Sequence, residues 1–229
     1  MIISISYPLT AKTPLYPNTP APVISSLRSM ELGDSANTSA ITFSTHSGTH
    51  IDAPRHFCKQ GKTIADCLTL DTTFFPAYCI NVPKRDSEEI TVSNLAGSIS
   101  QVQDAEAILI RTGWHTIRSD DPERYSNDHP WVSPEVPAFL RENCPHLRLF
   151  GIDQISVSSV LHRAEGHACH RKFLCEEKSI LLLEDLNLSD FQIKGSFRLH
   201  IYPFMIEHID GVPVIAAVEI KNSVPEFLS

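Results

Sequence analysis

The sequence predicts an α/β domain built on a mixed β-sheet, and three observations carry that reading. Its 229 residues fit one large domain spanning 1–229, at roughly 100–200 residues per domain. Short runs dense in Ile, Val, Leu and Phe recur from end to end, while segments with helix signals are few. Apolar residues make up 42% and charged residues 20%, a balance that excludes a disordered chain, a collagen-like chain and a long coiled coil.

The first strand candidate is 2–7. Pro8, Pro14, Pro17, Pro20 and Pro22 then make 8–22 an irregular surface segment of the kind that rims a site. Further strands are predicted at 40–45, 78–82, 107–111, 147–152, 180–183, 197–206 and 214–220, most of them apolar enough to lie buried on a sheet. Ser133, Pro134 and Glu135 read as an N-cap, a first-position proline and an acidic first turn ahead of a helix over 136–143. Helices are also predicted at 91–99 and 64–70, with a single turn within 185–191.

Charge and motif content exclude several functions. Lys plus Arg number 19 against 27 Asp plus Glu, a net charge of −8 with no basic run, which argues against nucleic acid as a partner. Apolar stretches such as 180–183 and 212–218 fall far short of the ~20 residues of a membrane span. The first residues carry no basic region before Pro8, so a cytoplasmic location is the expectation. No GxSxG elbow, phosphate-binding loop or GxGxxG loop occurs. Cys58, Cys67, Cys79, Cys144, Cys169 and Cys175 form no CxxC pair and are expected as free thiols, several of them buried. Cys58 lies two residues after His56, which leaves a Cys–His nucleophile open.

The chain has eleven histidines, and His46, His50 and His56 fall with Asp52 in one eleven-residue stretch. Gly48, Thr49, Ile51 and Pro54 disfavour a helix there. A strand continuing from Ala40 would place Thr42, Ser44, His46, Gly48, His50 and Asp52 on one face. On that reading Gly48 leaves open space for a metal and its ligands. Imidazole nitrogens and carboxylate oxygens suit Zn²⁺, Mn²⁺ or Fe²⁺ rather than Ca²⁺ or Cu⁺. With no cysteine in the cluster, the pattern favours a catalytic site over a structural zinc. A metal lowers the pKa of bound water from 15.7 to about 7, which suits amide hydrolysis near neutrality. Asp52 has the two oxygens needed to bridge a pair of metals, and a histidine is suited to protonating a leaving nitrogen.

The segment HSGTHIDAPRHF resembles the HxGTHxDxPxHF signature of the cyclase family of metal-dependent hydrolases. That family includes bacterial kynurenine formamidases and isatin hydrolases. Other segments resemble the family in order: Leu15-Tyr16-Pro17-Asn18, Ile110-Arg111-Thr112-Gly113-Trp114, Gly151-Ile152-Asp153 with Ser156, Leu182-Leu183-Glu184-Asp185-Leu186, and Asp210-Gly211-Val212-Pro213-Val214. The resemblance implies a single α/β domain with a mixed, barrel-like central sheet of the swivelling β/β/α type. It implies a homodimer or homotetramer, and one or two divalent metals, Zn²⁺ with Mn²⁺ as the alternative. His46 and His50 would bind metal, Asp52 would bridge or join a second ion, and His56 would be the general acid/base. Glu184 and a later histidine would complete the set. His170 fits that position best, with His167 and His162 as alternatives.

The expected function is hydrolysis of an amide C–N bond in a small formamide or lactam. Tyr16, where bacterial kynurenine formamidases tend to carry Trp, and Phe57 are the expected substrate contacts. Asn18-Thr19 also replaces the Gly-Asp of that loop, and Ile215 stands where the family often has Arg. Trp114 is read as a pocket or core residue. The competing functions are a lactone hydrolase or cyclase, and a non-catalytic metal-binding or interaction protein on the same scaffold.

Overall fold

The computed structural model describes residues 1–189 and 194–220. Its strands, in chain order, are β1 (Ile2–Ser4), β2 (Val23–Arg28), β3 (Thr38–Thr42), β4 (His50–Asp52), β5 (Thr72–Asn81), β6 (Glu89–Ile90), β7 (Ala107–Arg111), β8 (Trp131–Val132), β9 (Leu149–Ile152), β10 (Leu181–Glu184), β11 (Phe197–Pro203) and β12 (Gly211–Glu219). The helices are α1 (Ile64–Cys67), α2 (Val92–Ala96), α3 (Pro122–Asn127), α4 (Val136–Asn143) and α5 (Arg163–Leu174).

The main sheet runs β1-β12-β11-β5-β7-β9-β10-β4, and β4 pairs back onto β12. That last pairing closes the strands from β12 round to β4 into a barrel, with β1 added outside on β12. β5, β7, β9 and β10 are parallel, and the remaining pairings in the sheet are antiparallel. Of these, β7, β9 and β10 are buried on both faces, which is why 107–111, 149–152 and 181–184 read as near-continuous apolar runs. Alternation sorts their side chains into two cores. Leu109, Leu149, Leu183, Phe74, Leu199, Val212 and Ile51 come from every strand of the ring and fill its interior. Ile108, Ile110, Phe150, Ile152 and Leu182 face outward and pack under Leu95 of α2, Leu140 of α4 and Phe173 of α5. β2 and β3 form a separate antiparallel hairpin whose side chains are largely exposed.

The predicted mixed, barrel-like α/β architecture is the one observed, and the helix at 136–143 has its predicted bounds. Three expectations are corrected. The strand predicted to run from Ala40 through the histidines ends at Thr42, and the chain turns before β4 begins at His50. Gly48 makes that turn with φ +64°, a left-handed conformation that L side chains resist. A Cβ there would meet Leu9 Cδ1 at 3.4 Å, so conformation rather than open space explains the glycine. Cys58 and Cys175 are not free thiols: they form a disulfide with Cα atoms 5.6 Å apart, which also removes Cys58 as a nucleophile. Cys67, Cys79, Cys144 and Cys169 are free, the last two buried. The turn predicted within 185–191 begins at a bend at Asp185, and residues 190 and 191 lie outside the described residues.

Candidate metal centre

β4 is the floor of the site. It is paired on both edges, to β10 and to β12, so its three residues are fixed in depth and direction. Ile51 points into the barrel interior, fully buried, while His50 and Asp52 project together to the other face. Glu184 of β10 lies directly opposite His50, so its carboxylate rises on the same face. His50 Nδ1 donates to the Gly48 carbonyl at 2.8 Å, which aims Nε2 between the two carboxylates, 3.4 Å from Glu184 Oε2 and 3.5 Å from Asp52 Oδ1.

His170 comes from α5. Its Nδ1 donates to the carbonyl of Gly166 one turn back, at 2.9 Å, leaving Nε2 as a bare acceptor. That nitrogen faces Glu184 Oε1 at 3.8 Å and Asp52 Oδ2 at 4.0 Å. Phe57 stacks on the ring, centroids 4.5 Å apart. Glu184 Oε1 is held from behind by the Val157 amide at 2.7 Å and the Ser156 hydroxyl at 3.2 Å. Asp52 Oδ2 is buried and has no hydrogen-bond partner. A bare imidazole nitrogen and an unpartnered buried carboxylate oxygen facing each other across 4.0 Å would repel unless something positive lay between them. The donor set therefore fits a divalent cation.

His46 enters from the turn. It donates Nδ1–H to Asp52 Oδ1 at 2.8 Å and Nε2–H to Asp210 Oδ2 at 2.9 Å, so without metal it is an imidazolium. Burial pulls its pKa down, but Asp52 and Asp210 outweigh that and push it up to about 10. Gly211 lets the ring lie there, since a Cβ at that position would stand 2.6 Å from His46 Cε1. His56 sits at the end of a short 3₁₀ turn, Pro54–His56, and donates Nδ1–H to the same Asp210 oxygen at 3.2 Å. Its ring lies 3.9 Å from that of His46.

The remaining charges follow from this geometry. Burial disfavours the charge of Asp52, but His46 and His56 hold its carboxyl well below the usual range. Hydrogen bonds from His46 and His56 do the same for Asp210. Burial holds His170 below the ordinary imidazole value and keeps it neutral. Burial also opposes protonation of His50, but Glu184 and Asp52 raise it overall. Two triads, His50–Asp52–Glu184 and His46–Asp52–His56, each bring their candidate ligand atoms within 4.8 Å of one another and share Asp52.

The cluster forms one end of a cavity of about 240 Å³ whose walls include Tyr16, Phe57, Ile155 and His167. His46, His50, Asp52, His56, His170 and Glu184 are thus gathered in one place, and Tyr16 and Phe57 line the space beside them. His170, not His167, reaches the carboxylates. Trp114 packs in a buried cluster with Tyr125 and Ile155. Sequence reasoning did not single out Asp210. Its signal was present in the Asp210-Gly211 pair opening the last motif, but nothing local ties it to His46, 164 residues away.

Residues 3–159 match the model of the family described as "Putative cyclase". The chain is 34% identical over 222 residues to a kynurenine formamidase of Geobacillus thermodenitrificans, covering 94% of this chain and 96% of that protein. It is 32% identical over 220 residues to a kynurenine formamidase of Bacillus cytotoxicus, with the same coverage. Isatin hydrolase A from Labrenzia aggregata has the same fold, with a TM-score of 0.75 at 21% identity over 95% of this chain and 93% of that one.

Proposed function

The chain belongs to the cyclase family, and from that premise we propose that it is a metal-dependent amide hydrolase, arylformamidase-like, acting on a small aromatic formamide or lactam. The observation that carries the metal is the unpartnered, buried Oδ2 of Asp52 facing the bare Nε2 of His170. In this reading His46, His50, Asp52, His170 and Glu184 hold one or two divalent ions, Zn²⁺ or Mn²⁺. A cation held there supplies Lewis acidity and a water whose pKa falls from 15.7 to about 7.

The other roles belong to the chain's own groups. His56 takes a proton from the attacking water as the new C–O bond forms. It returns that proton to the leaving nitrogen as the C–N bond breaks. Tyr16 and Phe57 offer flat surfaces to an aryl ring in the cavity. Val157 and Ser156 hold Glu184 in place, so the ligand set is preorganised before metal arrives. The β2–β3 hairpin exposes Val23, Ile24, Leu27 and Ile41, which supports the homodimer or homotetramer expected of the family.

The test is a substrate panel of N-formyl aromatic amines, isatin-like lactams and simple lactones, run on metal-loaded protein with and without chelator. Hydrolysis of a formamide or lactam that chelator abolishes and metal restores is the expected result. Metal-loaded protein that hydrolyses nothing in the panel is a binding scaffold, and lactone turnover alone reassigns the bond cleaved.

A further inference from the structure

We propose that Asp210 is the positioning residue of His56, fixing the tautomer that presents Nε2 to the cavity. The proposal rests on the hydrolase reading for its consequence but not for its geometry. Asp210 is not on the ligand strand. It immediately precedes β12, and its backbone carbonyl accepts the Ala53 amide at 2.8 Å, which ties it to the turn that carries His56. Thr45 donates its hydroxyl to Oδ1 at 3.2 Å and so orients the carboxylate. Oδ2 then accepts Nδ1–H of His56 at 3.2 Å.

A neutral imidazole carries one proton, and the carboxylate can only accept. The proton of His56 is therefore held on Nδ1, and Nε2 is the nitrogen left to take and return a proton at the cavity that His56 lines. Without Asp210 the Nε2–H form competes, and in that form Nε2 has no lone pair with which to take a proton at the cavity. The same Oδ2 also accepts from His46 at 2.9 Å, so one carboxylate ties the proton-transfer histidine to a candidate ligand.

The test compares zinc-loaded wild type with Asp210→Asn and Asp210→Ala. Ring ¹⁵N shifts of His56, assigned with His56→Gln, are followed as the pH is raised until they no longer change, so that the neutral ring is read. Wild type is expected to show His56 protonated on Nδ1, and Asp210→Ala to shift a major fraction to Nε2–H with zinc content unchanged. On an unactivated formanilide, kcat is expected to fall about 10²-fold with KM within about twofold, within the 10²–10⁴ range of acid–base catalysis. A 4-nitrophenyl ester, whose leaving group needs no proton, shares only the proton removal from water and is expected to lose less activity than the formanilide. An unchanged His56 tautomer overturns the proposal. So does zinc loss in step with activity, since Asp210 would then act through His46. If wild type hydrolyses neither substrate, the hydrolase reading fails, and the tautomer measurement still decides the role of Asp210.

Discussion

Replacing Arg118 by Met should destabilise the fold far more than a single charge removal at the surface. Arg118 donates Nε–H to Asp185 Oδ1 at 2.7 Å and Nη2–H to Oδ2 at 2.6 Å, and the two side chains are 9% and 1% exposed. Tyr125 adds its hydroxyl to Oδ1 at 2.6 Å, and the guanidinium lies 3.8 Å from the centre of the Tyr7 ring. Met keeps much of the aliphatic stem, so the loss is mainly that of the charge. It leaves Asp185 buried with one remaining side-chain donor. Breaking a buried pair from one side costs about 3–5 kcal/mol. For a chain of 229 residues this corresponds to roughly 6–20 °C in Tm, at ~2–4 °C per kcal/mol.

Asp185 follows Glu184 and holds a left-handed φ of 57°, so its displacement should also loosen Glu184 and weaken metal binding. Urea unfolding of wild type, Arg118→Met and the double variant Arg118→Met/Asp185→Asn measures the stability loss. The double variant should recover more than half of the loss, because Asn tolerates the left-handed backbone and carries no charge. A single-variant loss below about 1 kcal/mol refutes the reasoning, since the carboxylate would then be hydrated rather than buried.

His56→Ala should retain bound zinc in elemental analysis while formanilide turnover falls by about 10²–10⁴. Undiminished turnover removes His56 from the chemistry. The Cys58–Cys175 disulfide spans 117 residues, so Cys58→Ser/Cys175→Ser should lower the unfolding free energy by about 2–5 kcal/mol. Dithiothreitol should produce the same loss in wild type, and identical urea curves with and without it contradict the pairing. Burial holds His129 below its ordinary value of 6.5, so the unfolded chain binds that proton first. Stability from His129 is full above pH 6.5 and declines as the pH falls below it. His129→Asn, which can still donate to the Pro130 carbonyl, should therefore lose less Tm between pH 7 and 5 than wild type; equal losses reject the assignment.

Much of the barrel was legible because its central strands β7, β9 and β10 are buried almost throughout and are dominated by Ile, Leu and Phe. Its closure was implied only by the family resemblance and not by local pattern, since the β4–β12 pairing joins a three-residue strand to the far end of the described chain. α5, the longest helix, escaped notice because its buried face is Gly166, Cys169, His170, Phe173 and Leu174, a face poor in the aliphatic residues that mark helices. Period two correctly paired His50 with Asp52. It failed for His46, because Gly48 reverses the chain and His46 reaches the same carboxylate from a turn. The disulfide and the contacts of Asp210 with His46 and His56 were not legible for one reason: each is made by tertiary proximity between distant segments, with no local spacing to announce it.

The facing nitrogens and carboxylates of His50, Asp52, His170 and Glu184 should enclose a divalent cation. An anomalous difference map, collected at the zinc edge from crystals grown with Zn²⁺, tests it directly. The expected result is a peak at about 2.0–2.2 Å from Asp52 Oδ2 and His170 Nε2. A zinc-saturated crystal with no peak in that cluster, or with its zinc bound elsewhere, contradicts it.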